Sequence, residues 1–139
     1  MSRARRVLFI CTHNSARSQM AEGWLRTLGG PRFEVFSAGT EATEVRPLAI
    51  RAMAEVGIDL SRHESKALDR FLAEKWDDVI TVCDDANEAC PIFPGGRNRL
   101  HWSFPDPSRA TGTEEEQLAT YRLVRDAIRN RIEAFVAKT

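Results

Sequence analysis

Cys11 and Arg17 are separated by the five residues Thr12, His13, Asn14, Ser15 and Ala16, and Ser18 follows at once. Where a loop of this kind curls into a helix N-terminus, its backbone N–H groups converge on one point and favour a tetrahedral oxyanion there. Arg17 adds a planar fork able to hold two of the oxygens. The same dipoles, with Arg17 and the Ser18 hydroxyl, favour the thiolate of Cys11, which is the nucleophilic form of a cysteine. Asn14 is a residue type that tolerates a left-handed backbone and ties a loop together. By spacing alone, a buried small thiol and a solvated arginine explain the pair equally well. The surroundings favour the cradle, because the segment follows an apolar run, precedes a helical pattern and has only Ala16 as an apolar member.

The elements that must hold this loop are legible on either side of it. Arg6–Cys11 is a short continuous apolar run, as expected for a strand buried on both faces of a parallel sheet. Ser18–Leu28 places Met20, Ala21, Trp24, Leu25 and Leu28 at helical spacing, and Gly29-Gly30-Pro31 stops it. Further along, the pattern predicts a strand at Phe33–Phe36, a helix at Pro47–Val56 and another helix at Ala67–Lys75. A third strand is predicted at Trp76–Cys83 and a fourth at Arg99–Phe104. Thr113–Lys138 reads as a long one-sided helix opened by a capping box of Thr113 and Glu116. Strands alternating with helices imply an α/β fold, a three-layer, doubly wound, four-stranded parallel sheet flanked by helices, with ligands at the carboxyl ends of the strands. Cys11 and Cys83 both fall at such ends. Trp24, Trp76 and Trp102 fit core or loop-anchoring positions.

Composition bounds the rest. The 139 residues suit one domain spanning 1–139, and no linker, repeat or low-complexity tract divides them. Twenty Lys and Arg balance twenty Asp and Glu, so no global field points to nucleic acid and no acidic excess to disorder. Val7–Ile10, the longest strongly apolar run near the N-terminus, is far short of the roughly 20 residues of a membrane span. A cytoplasmic, monomeric protein without membrane attachment is expected. Three cysteines are too few for a secreted disulfide scaffold. Six residues lie between Cys83 and Cys90, no Cys-x-x-Cys element exists, and His13, His63 and His101 are scattered, so no metal is expected. His13 is either a tuner of the cradle's polarity or a solvated loop residue, and His63 and His101 are given no role.

The run CTHNSARSQMAEGW resembles the phosphate-binding loop of the low-molecular-weight tyrosine phosphatase fold, and its QMAEGW continuation is closer to the arsenate reductases built on that fold. Two later segments, Thr81-Val-Cys83-Asp-Asp-Ala-Asn-Glu-Ala-Cys90-Pro91 and His101-Trp102-Ser-Phe-Pro-Asp106-Pro107, resemble the thioredoxin-coupled branch in order and spacing. The resemblance implies that Cys11 attacks the arsenic of bound arsenate while Asp106, in a Pro-flanked loop, acts as general acid. Cys83 then attacks Cys11, releasing arsenite, and Cys90 attacks Cys83, leaving a disulfide that thioredoxin reduces. The oxyanion would be held by Thr12, His13, Asn14, Ser15, Ala16, Arg17 and Ser18. No bound cofactor is implied; thioredoxin is the external reductant, with glutaredoxin or a low-molecular-weight thiol as alternatives, and phosphate and sulfate are competing anions.

If residues 84–89 are helical when reduced, the α-carbons of Cys83 and Cys90 stand roughly 10 Å apart, beyond the 4.4 to 6.8 Å or so of a disulfide. Closing the bridge would then melt that turn. Some relatives bind a structural potassium ion near positions matching Asn14, Glu22 and Ser37, where a carboxylate stands in place of Lys66; here Lys66 supplies the charge instead. Phosphatases of the fold often carry a second cysteine where this chain has Ala16. Two other readings remain open. One is a phosphomonoesterase that needs only Cys11, Arg17 and Asp106, although the chain's single tyrosine gives little for a phosphotyrosine groove. The other is a noncatalytic redox or oxyanion sensor.

Overall fold

The computed structural model describes residues 3–84 and 93–139. The apolar run forms β1 (Arg5–Cys11), whose last five residues are all buried. It lies centrally between β2 (Phe33–Gly39) and β3 (Asp78–Thr81), with β4 (Asn98–His101) outside β3. The order is β2-β1-β3-β4 and every pairing is parallel. In register, Cys11 stands opposite Gly39 and Ile10 opposite Thr81. The helices are α1 (Arg17–Gly29), α2 (Pro47–Ala54) and α3 (Glu114–Lys138). The predicted fold class stands: a four-stranded parallel sheet with flanking helices.

Alternation along β1 divides the core in two, because successive strand residues face opposite sides of the sheet. Val7, Phe9 and Cys11 face a large cluster with Met20, Trp24 and Leu25 of α1, Met53 of α2 and Leu118, Ile128 and Ile132 of α3. Leu8 and Ile10 face a smaller cluster with Phe71, Trp76, Val79 and Phe93. Helix α3 opens with the expected capping box: Thr113 Oγ1 accepts from the Glu116 N–H while the Glu116 carboxylate accepts from the Thr113 N–H. It is clamped to the other helices by polar contacts. The Trp24 indole N–H donates to the Arg125 carbonyl at 3.1 Å, and Arg125 donates to the Ala52 carbonyl at 2.9 Å. Among the described residues no helix is long and apolar enough to cross a membrane.

The helix predicted at Ala67–Lys75 is replaced by a single 3₁₀ turn, Leu68–Phe71. Backbone bonding explains the change. Ala67 is held extended by its bridge to Gly39 at the carboxyl end of β2. From there the chain closes bonds three residues apart rather than four, the Arg70 N–H donating to the Ala67 carbonyl and the Glu74 N–H to the Phe71 carbonyl, which also accepts from the Trp76 indole N–H at 3.3 Å. Strands β3 and β4 are also shorter than their apolar patterns suggest, four residues each. β4 ends at His101, after which Trp102 and Phe104 turn inward to the larger cluster.

Candidate active site

Backbone accounting shows what the loop after β1 presents to its interior. Its carbonyls are all taken by groups outside it. Thr12 O accepts from the Glu41 N–H at 3.1 Å, Ser15 O from the Arg46 N–H at 2.9 Å and Ala16 O from the Met20 N–H at 2.8 Å. His13 O accepts from the Ser65 hydroxyl at 2.8 Å and Asn14 O from the Gln19 amide at 3.2 Å. In a trans peptide the C=O of one residue and the N–H of the next point in opposite directions. No peptide in the described chain is cis. With five successive carbonyls turned outward, the N–H groups of residues 13–17 turn toward the loop's interior. Asn14 takes the left-handed conformation expected of it, at φ 51°. Gly39 packs against the loop so closely that a Cβ there would stand 2.6 Å from the Asn14 nitrogen. Helix α1 carries no acidic residue in its first turn, so its dipole faces the cradle uncompensated.

Cys11, at the floor, is 2% exposed, and its Sγ lies 2.8 Å from the Ser18 hydroxyl. The direction of that bond follows from the groups behind it. The Lys66 backbone N–H can only donate, so Asn14 Oδ1, 2.8 Å away, must accept. Asn14 Nδ2 therefore faces Ser18 and donates to its oxygen at 2.8 Å. The single hydroxyl proton of Ser18 is left for the sulfur of Cys11. Gln19 repeats the logic one step back. Its Nε2 faces the carbonyls of Asn14 and Glu64, so its Oε1 faces Nδ1 of His63 at 3.0 Å.

Arg17 is 3% exposed; one guanidinium nitrogen donates to the Phe104 carbonyl at 3.2 Å and another lies 3.6 Å from Oδ2 of Asp106. Oδ1 of Asp106 accepts from both the Ser108 N–H, at 2.9 Å, and the Ser108 hydroxyl, at 2.7 Å. The carboxylate is thus gripped by one oxygen while the other faces Arg17. Cys83 is wholly buried in the same apolar cluster as Cys11. Beyond β3 the chain still runs beside β1, with the Val82 N–H donating to the Ile10 carbonyl at 2.8 Å. The structure therefore brings Cys11, Arg17, Asp106, Cys83 and residues 12–18 to one end of the sheet. Cys90, and the expected helical turn over 84–89, lie outside the described residues.

The resemblance points to Glu22, Ser37 and Lys66, but Gln19, Arg26 and His63 behind the loop are missed by sequence reasoning. These six side chains converge from three segments, α1, β2 and the 63–66 stretch. Buried Glu22 accepts from the Ser37 hydroxyl at 2.5 Å and from Arg26 at 2.6 Å, with Lys66 Nζ at 3.7 Å. Of the missed residues, only Arg26 left a local sequence signal, as the i,i+4 partner of Glu22. Burial pushes the His63 imidazole below its ordinary pKa, Glu22 opposing that trend; burial likewise lowers Lys66. With an ammonium and a guanidinium already facing Glu22, these residues do not fit a further cation. Among the described residues, no group of three or more His, Cys, Asp or Glu side chains could hold a metal ion. His13 contributes its carbonyl to the loop's outer bonds, and its Nδ1 is buried without a hydrogen-bond partner among the described residues.

Residues 6–139 match the family described as low molecular weight phosphotyrosine protein phosphatase. An arsenate reductase of Halalkalibacterium halodurans is 48% identical over 129 residues, covering 93% of each chain. A solved arsenate reductase in the phosphate binding state superposes with a TM-score of 0.82 at 36% identity, covering 96% of this chain and 98% of that one. The thioredoxin-dependent arsenate reductase of Corynebacterium glutamicum gives a TM-score of 0.71 at 29% identity, covering 99% of this chain and 62% of the other.

Proposed function

The chain belongs to the low molecular weight phosphotyrosine protein phosphatase family, and from that premise we propose that it reduces arsenate to arsenite through a relay of three cysteines, reset by thioredoxin. It is an oxidoreductase of the arsenate reductase type. The inward amides of residues 13–17 and the Arg17 guanidinium receive the anion with arsenic above Cys11. The Cys11 thiolate attacks arsenic, an As–O bond breaks, and Asp106 protonates the departing oxygen. Its gripped Oδ1 holds Oδ2 in place for that transfer.

Cys83 then attacks the sulfur of Cys11. The S–As bond breaks, its electron pair stays on arsenic, As(V) becomes As(III), and arsenite leaves behind a Cys11–Cys83 disulfide. Cys90 attacks Cys83, freeing the Cys11 thiolate and forming a Cys83–Cys90 disulfide. A dithiol protein, thioredoxin, reduces that bridge by exchange, supplying the two electrons that arsenic took.

The observation that carries this reading over simple ester hydrolysis is the burial of Cys11 and Cys83 in one cluster at neighbouring strand ends. Hydrolysis of a phosphate ester needs no second thiol. The test measures arsenite formed from arsenate with thioredoxin, its reductase and NADPH. Each of Cys11→Ser, Cys83→Ser and Cys90→Ser should stop turnover. Full turnover in Cys83→Ser would overturn the relay, and an ester-hydrolysis activity lost only in Cys11→Ser, without arsenite production in the wild type, would favour a phosphatase.

A further inference from the structure

Cys83 leaves β3 two residues past the end of that strand. On one side of β3 stand β1 and the anion cradle, and on the other, among the described residues, stands β4. For a macromolecule that must exchange electrons with a sulfur leaving β3, β4 is the described strand on the side away from the cradle.

That edge has a distinct surface. All four residues of β4 are exposed. The Asn98 and Trp102 N–H groups donate inward to the Asp77 and Thr81 carbonyls, so by the period of two the main chain of Arg99 faces away from the sheet. Leu100 is 39% exposed, one of three large apolar side chains so exposed among the described residues. Beside it Trp102, Ser103 and Phe104 and the Ala127, Arg131 and Ala134 positions of α3 line a groove of about 450 Å³, with the Arg131 guanidinium over the Trp102 ring at 5.5 Å. The chain is neutral overall. Even so, Arg99 and Arg131 flank this edge, both exposed and neither with an ion-pair partner among the described residues. An edge strand that is apolar at its centre and cationic on its flanks suits a partner with an apolar contact ringed by carboxylates.

We propose that the β4 edge from Arg99 to Trp102, with Arg131 of α3, is the landing surface for the dithiol protein that reduces the enzyme, and that this protein meets it with an acidic rim. The proposal rests on the reading of Cys83 and Cys90 as the terminal redox pair. It is tested at saturating arsenate with thioredoxin as the varied substrate, and in parallel with dithiothreitol, a reductant too small to need a docking face. For Arg99→Glu combined with Arg131→Glu, and for Leu100→Asp alone, the KM for thioredoxin should rise about tenfold or more, while turnover supported by dithiothreitol stays within about twofold of wild type. Added salt should raise the wild-type KM and leave that of the double variant flat. An unchanged thioredoxin KM in both variants overturns the proposal, as does an equal loss with both reductants. Absence of arsenite from wild type even with dithiothreitol would instead sink the arsenate reductase reading itself.

Discussion

The two carboxyl-terminal corners of the sheet are built to opposite standards. At the β1–α1 corner every carbonyl from Thr12 to Ala16 has a partner, two side-chain amides have their orientation dictated by backbone groups, and Gly39 leaves no room for a methyl group. At the β3–β4 corner both strands are four residues long and β4 is exposed throughout. On the proposed chemistry the difference follows from what each corner handles. Holding a small anion over one sulfur depends on donors that cannot reorient, since preorganised dipoles act without reorganisation at the moment of reaction. Passing electrons to a protein requires a surface that a partner can cover.

The largest test of that contrast is Gly39→Ala. The new methyl would collide with backbone rather than with a flexible side-chain end, so the loop itself must shift. Activity should fall about a hundredfold or more, because misplacement of about 1 Å costs that much, and stability should fall by about 1 to 3 kcal/mol. Phosphate binding by calorimetry and thermal melting read the two effects. A variant that binds phosphate normally would show that the corner is less constrained than its geometry implies.

A smaller effect is expected for Ser18→Ala, which removes the hydroxyl donor to Cys11 while leaving the outward carbonyls in place. A hydrogen bond to a charged group is worth about 1.5 to 3 kcal/mol, so thiolate-dependent alkylation at neutral pH should slow about tenfold or more. Iodoacetamide kinetics in a Cys83→Ser, Cys90→Ser background isolate Cys11, and an unchanged rate would break the assigned direction of the chain through Asn14.

The smallest effect lies away from both corners and calibrates them. Glu55, hydrogen-bonded first by Arg122 and also by Arg125, is pulled down from its ordinary 4.5 to about 2. A carboxylate depressed in the folded state contributes stability that is complete above its unfolded value and is lost as pH falls toward the folded one. Glu55→Gln should therefore flatten the pH dependence of unfolding between about 4.5 and about 2 and leave oxyanion binding at neutral pH unaltered. A change in anion affinity would couple the α2–α3 clamp to the cradle.

Much of this is legible in the amino-acid sequence. The cradle, the left-handed Asn14 and the capping box of α3 are local devices, written within a few consecutive residues. The supports behind the cradle are not local: Gln19 meets His63 across 44 positions and Asn14 meets Lys66 across 52. Periodicity carries no information about such meetings. The helix expected at Ala67–Lys75 is absent for a related reason, since its residues have suitable propensities but Ala67 is bridged to Gly39, far away in sequence, and the Phe71 carbonyl is taken by the Glu74 N–H and the Trp76 indole.

The outward turn of the loop's carbonyls has a physiological consequence. A ring of amide hydrogens sorts visitors by shape and charge and is blind to which element sits at the centre, so arsenate and phosphate enter on nearly equal terms. Only the next event tells them apart, because phosphorus does not accept the electron pair that arsenic takes. On the proposed chemistry, throughput in a phosphate-rich cell is governed by the ratio of the two anion pools, and the same amount of arsenic is cleared faster by a phosphate-starved cell than by a replete one.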